Sequence, residues 1–108
     1  MTKIEFYVKP DNTIIGFRSK GHAGYGERGT DVVCASVSAL IINTVNSIEE
    51  LTSDKLNSQV NDRRATIDFE IDGDISHDAA LLLKSLEFGL SGIAKSYPGN
   101  ISIKYKEV

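Results

Sequence analysis

"DVVCASVSALIINTVNSIEEL", residues 31 to 51, decides the fold. Val33, Val37, Leu40, Ile41, Val45, Ile48 and Leu51 recur every three or four residues, the period of a helix with one apolar face. Val32 to Leu51 therefore predicts a helix ~30 Å long. Asp31 is its expected N-cap, because a carboxylate there accepts the free N–H groups of the first turn. Thr30 is the alternative cap, one residue earlier.

On both sides of this helix the period falls to two. Ile4, Phe6 and Val8 alternate with Lys3, Glu5, Tyr7 and Lys9, a strand with one buried face. "KPDNT" is a turn, and "IIGFRSKGH" a second strand, so residues 3 to 21 predict a hairpin with His22 at its end. Residues 55–61 and 64–71 predict another hairpin around Asn61-Asp62, with Ala65, Ile67, Phe69 and Ile71 on its apolar side. A second helix follows over residues 77–96, with Leu82, Leu83, Leu86, Leu90, Ile93 and Tyr97 on its stripe and Pro98-Gly99 as its stop. Gly89 and Gly92 each weaken that helix by ~1 kcal/mol relative to Ala, which calls for close packing of its backbone. Ile101, Ile103 and Tyr105 mark a last strand. The order β-β-α-β-β-α-β predicts a two-layer α+β domain: a mostly antiparallel sheet of about five strands covered by two helices.

The 108 residues suit a single domain, 1–108. Hydrophobic residues make up 41% and charged residues 25%, which argues against disorder. The net charge of −3 and the scatter of the Lys and Arg residues disfavour binding to a nucleic-acid backbone. The longest apolar runs are about four residues, far short of the ~20 needed to span a bilayer. The N-terminal stretch lacks an apolar signal-peptide core, and a lone cysteine fits a reducing compartment. A cytoplasmic location, without membrane association, is expected.

The chemistry gathers in "GHAGYGERGTDVVCA", residues 21 to 35, which holds the only cysteine, one of two histidines and four of nine glycines. With Asp31 as cap, Cys34 falls in the first helical turn, where free N–H groups and the helix dipole favour a thiolate. Helical side chains lean toward the N-terminus, so the sulfur points to the loop carrying His22. His22 is then the natural base, with His77 as rival. A buried, inert cysteine is the plain alternative. Asp31 has two compatible jobs, capping the helix and orienting His22. The backbone N–H groups of Cys34 and Ala35 are candidates for an oxyanion hole. Gly24, Tyr25, Gly26, Glu27, Arg28 and Gly29 form an expected lid and substrate loop. Gly24-x-Gly26-x-x-Gly29 matches the dinucleotide spacing, but without its βαβ setting, and the loop lacks the Gly-Lys-Ser/Thr ending of a P-loop. One Cys and two separated His give no familiar zinc pattern, so neither metal nor cofactor is expected.

"GHAGYGERGTDVVCASVSAL" resembles the signature of the ribosomal-processing cysteine proteases, the Prp family. Gly21, His22, Ala23, Gly29, Asp31, Val33, Cys34, Ala35 and Ser38 match it, with Val32 where Ile is common. The length and element order agree as well. The resemblance implies a catalytic Cys34 and His22, a mobile loop over residues 23–30 and a homodimer. It implies removal of the N-terminal extension from large-subunit ribosomal protein number twenty-seven. The competing readings are a non-catalytic ribosome-associated binding module, a sulfenic-acid redox protein and a thioester transferase using the same dyad.

Overall fold

The structure, a computed structural model, describes residues 1–26 and 31–108. The elements are β1 (Thr2–Val8), β2 (Ile14–Lys20), α1 (Val32–Leu51), β3 (Lys55–Asn61), β4 (Thr66–Asp72), α2 (His77–Ser96) and β5 (Ile101–Glu107). The predicted order and the two-layer α+β class hold. One five-stranded sheet runs β3-β4-β2-β1-β5. Its ladders are antiparallel except β1–β5, which is parallel, with Thr2 opposite Ile101 and Tyr7 opposite Lys106.

The core begins as a row of rings across the sheet. Tyr105, Phe6, Phe17 and Phe69 stand opposite one another on β5, β1, β2 and β4. Successive centroids lie 5.9, 6.5 and 5.4 Å apart, within the range of favourable ring pairs. Phe6, Phe17 and Phe69 are fully buried. The β1–β2 register shifts between Tyr7 and Val8, leaving Ile15 without an opposite number. Such a bulge breaks the alternation, which is why Ile14 and Phe17, three residues apart, are both buried. Gly16 sits beside it for a steric reason: a Cβ there would collide with the carbonyl oxygen of Phe69 and come within 2.9 Å of Glu70 Cα.

Helix α1 buries Val33, Val37, Ile41, Thr44 and Ile48; α2 buries Ala79, Leu83, Leu86 and Leu90. Thr44 is no cost to the core, because its hydroxyl donates to Leu40 O at 2.8 Å. Leu51, assigned to the stripe by spacing, is 74% exposed: it ends the helix beyond the sheet's cover. By length and composition α1 is long and apolar enough to cross a membrane, a test that core helices also pass. Its many Val, Ile and Leu residues and its scarcity of charges raise the average, although Ser, Thr and Asn interrupt every apolar run. Its apolar stripe is taken up by the domain core.

Ser76 caps α2 through Ala79 N–H at 3.1 Å. The expected close packing at the α2 glycines occurs at one of them. A Cβ on Gly89 would stand 3.0 Å from Leu40 Cδ1 of α1, whereas Gly92 faces open space. The β3–β4 turn also differs from the pattern reading. Ala65 has φ 49°, so it belongs to the turn and β4 begins at Thr66.

Candidate active site

Strand β2 stops at Lys20, two residues short of His22. Gly21, at φ +89°, turns the chain there, and a side chain at that position would meet Met1 O at 2.8 Å. Gly21 N–H donates to Ala65 O at 3.0 Å, which ties the strand end to the β3–β4 turn. His22 follows and is exposed, while Ala23 is buried.

Asp31 is the N-cap of α1. Its Oδ1 accepts from Val33 N–H and Cys34 N–H, both at 3.0 Å, and its Oδ2 from Tyr25 N–H at 3.0 Å. The Cys34 N–H above all, then those of Gly26 and Tyr25, hold the carboxyl below the usual Asp range against the opposing effect of desolvation. The cap role is therefore present. Among the described residues no hydrogen bond joins Asp31 to His22.

Cys34 is half-buried and free. Its sulfur accepts from Ala23 N–H at 2.9 Å. The expected oxyanion donors need correction. Cys34 N–H is taken by the Asp31 carboxylate and Ala35 N–H by Asp31 O at 3.0 Å. The capping carboxylate takes the first donor and the first helical backbone bond takes the second, so the two N–H groups proposed from sequence are not free.

Two cavities meet at the cysteine. One, about 380 Å3, lies between the loop and α1 and is lined by Gly24, Gly26, Asp31 and Ala35. The other, about 420 Å3, lies between α1 and the β3–β4 hairpin, with Val37, Ile41 and Ile67 along it and Val60, Asn61 and Asp62 at its wall. His22, Cys34 and Ser38 line both. Ser38 is one turn beyond Cys34, so the two share a helix face. His77 is not part of this cleft. It lines a separate surface hollow with Asp11 and Asn12 of the β1–β2 turn, and its ring pairs with Asp78 at 3.2 Å. That turn lies at the opposite end of the hairpin from Gly21.

Of the expected loop residues, Gly24 and Gly26 border the site and Tyr25 is tied to it through its N–H bond to Asp31; Gly24 has φ +72°. Glu27, Arg28, Gly29 and the alternative cap Thr30 lie outside the described residues. Sequence reasoning missed a clamp from the far end of the chain. The Tyr97 ring meets that of Tyr25 edge-on at 5.1 Å, and Asn100 Nδ2 donates to Ala23 O at 2.9 Å. The helical stripe marks Tyr97 only as a core residue and no local pattern marks Asn100; the placement of β5 beside β1 brings them in. Among the described residues no cluster of His, Cys, Asp or Glu is suited to a metal ion.

Comparison with known proteins places this fold and cleft among the cysteine proteases. A solved structure of the essential ribosomal processing protease Prp from S. aureus, in complex with a covalently linked product peptide, superposes with a TM-score of 0.93. It is 29% identical and covers 98% of this chain and 100% of its own. The ribosomal processing cysteine protease Prp of Staphylococcus aureus is similar at 29% identity over 106 residues, covering 98% of this chain and 100% of the relative. That of Bacillus subtilis is 28% identical over 97 residues, covering 86% and 87%. The family model described as Cysteine protease Prp matches residues 1–102, and the chain belongs to that family.

Proposed function

We propose that this cysteine protease removes the N-terminal extension of the precursor of large-subunit ribosomal protein number twenty-seven, using Cys34 as nucleophile and His22 as base. One observation carries the reading: the chain's single cysteine stands with His22 at the junction of two cavities, room for peptide on both sides of the sulfur. The relative that holds a covalently linked product peptide supports an acyl-enzyme route.

His22 takes the proton of Cys34. The thiolate attacks the scissile carbonyl, and His22 returns the proton to the leaving amine. Water, activated by the same imidazole, then hydrolyses the thioester. The chain works in the cytoplasm as a homodimer, in line with the family resemblance. Its small negative charge suits a basic ribosomal protein.

The test is incubation with the precursor of that ribosomal protein from the same cell, with mass spectrometry of the products. A single cut near the precursor N-terminus is expected. It disappears in Cys34→Ala, and His22→Ala slows it by about 10²- to 10⁴-fold, the usual worth of a general base. An intact precursor, or full activity in either variant, rejects the proposal.

A further inference from the structure

The occupied N–H groups of Cys34 and Ala35 leave the reacting centre in need of a different donor. Among the described residues, the backbone group that points at the sulfur is Ala23 N–H, at 2.9 Å. Ala23 is 1% exposed and sits between Gly21 and Gly24, both at positive φ. A segment flanked by two such glycines holds its aim only if something outside it fixes the backbone. That support comes from residue 100. Asn100 Nδ2 donates to Ala23 O at 2.9 Å. Asn100 is itself anchored through its own backbone: its N–H donates to Tyr97 O at 3.0 Å and its carbonyl accepts from Thr2 N–H at 2.9 Å.

We propose that Asn100 is a positioning residue of the protease, holding Ala23 so that its N–H serves first the Cys34 thiolate and then the oxyanion. This rests on the reading of Cys34 as nucleophile. In the attack a sulfur lone pair becomes the new C–S bond, and the carbonyl π pair moves onto oxygen. The negative charge passes from sulfur to an oxygen on the adjoining carbon, within reach of the same donor. Ala23 N–H keeps its proton throughout. A donor already aimed at developing charge stabilises it without reorganisation.

The experiment uses the full-length protein and a pair of inhibitors: a peptide ending at the cleavage site as an aldehyde, and the same peptide as an alcohol. The aldehyde forms a hemithioacetal whose oxygen reads the oxyanion donor; the alcohol reads ordinary peptide binding. In Asn100→Ala the aldehyde's advantage over the alcohol is expected to fall about 10- to 100-fold, with kcat falling in step and KM within about twofold, a misaimed donor costing less than a deleted one. Asn100→Asp keeps the size and backbone bonds but offers oxygens to the Ala23 carbonyl, and the same loss is expected. Circular dichroism selects the variant that keeps the parental helix signal. An undiminished aldehyde advantage in a folded variant overturns the role of Asn100. An aldehyde that gains nothing over the alcohol even in the unaltered protein, or that gains as much in Cys34→Ala, overturns the nucleophile reading and the proposal with it.

Discussion

The backbone N–H of Tyr25 donates to Asp31 Oδ2 at 3.0 Å, so one carboxylate ties the active-site loop to the helix that carries the cysteine. Its other oxygen serves Val33 and Cys34. Loop geometry and cysteine geometry are therefore set by the same group.

Asp31→Asn is expected to lower the melting temperature at neutral pH and to reduce cleavage. The effect has a pH signature. The folded carboxyl is held below its ordinary value, so its stabilisation is complete above the unfolded value of ~3.9 and is lost as pH falls through the lower folded value. Melting curves of parent and variant should converge on acidification through that window. A gap that stays constant into strong acid argues that the charge contributes nothing.

Two glycines of α2 should respond in opposite ways to one change. Gly92 faces open space, so Gly92→Ala is expected to gain about 1 kcal/mol of helix propensity. Gly89→Ala has the same gain in principle but puts a methyl 3.0 Å from Leu40 Cδ1. It should fall clearly short of Gly92→Ala in urea unfolding; equal gains would mean that the α1–α2 contact yields freely.

Leu83 is fully buried and Leu81, two residues earlier, is 58% exposed. Leu83→Ala should cost about 2–5 kcal/mol through lost burial and a residual cavity. Leu81→Ala should stay within about 0.5 kcal/mol. Paired denaturant midpoints check both. A costly Leu81→Ala would point to an added contact at that face, such as one between protomers.

Two tyrosines should ionise late. Tyr7 is pushed up to about 12, first by desolvation and then by its hydrogen bond to Asp68. Tyr105 is also pushed up to about 12, chiefly by its 2.6 Å bond to Glu87. The neutral phenols favour the fold in full below the unfolded value of ~10, and that share is lost as pH rises through the folded values. Phenolate absorbance should therefore show two late steps, one missing in Tyr7→Phe and one in Tyr105→Phe. Unchanged titration curves in either variant would remove that assignment.

What could be read from sequence was what repeats locally. The bounds of α1, α2 and β3 match those read from sequence; for the helices an apolar stripe, and for α1 the Asp31 before it, are written in neighbouring residues. That His22 and Cys34 line the same cleft was readable for a similar reason, one lying just past a strand end and the other just past a helix cap, twelve residues apart. The parallel β1–β5 pairing, the aromatic row from Tyr105 to Phe69 and the Asn100 clamp were not, since each joins residues far apart in the chain. The engagement of the Cys34 and Ala35 N–H groups was overlooked: the first goes to the capping carboxylate and the second to the first helical bond, to Asp31 O. Ala65 was misplaced because its side chain fits an apolar alternation while its backbone sits in a turn.

The parallel alignment of β1 with β5 sets an order of events during synthesis. Thr2 emerges from the ribosome long before its neighbour Ile101. Closing that contact spans residues 2 to 101, the slow kind of step in folding. The hydrogen bond from Asn100 to Ala23 belongs to the same late step. The nascent polypeptide can thus form its hairpins and α1 early while the surroundings of Cys34 stay unfinished. Proteolytic competence is expected to arrive only with β5, so a chain truncated before residue 100 would leave the ribosome with its cysteine in place and the corner around it unassembled.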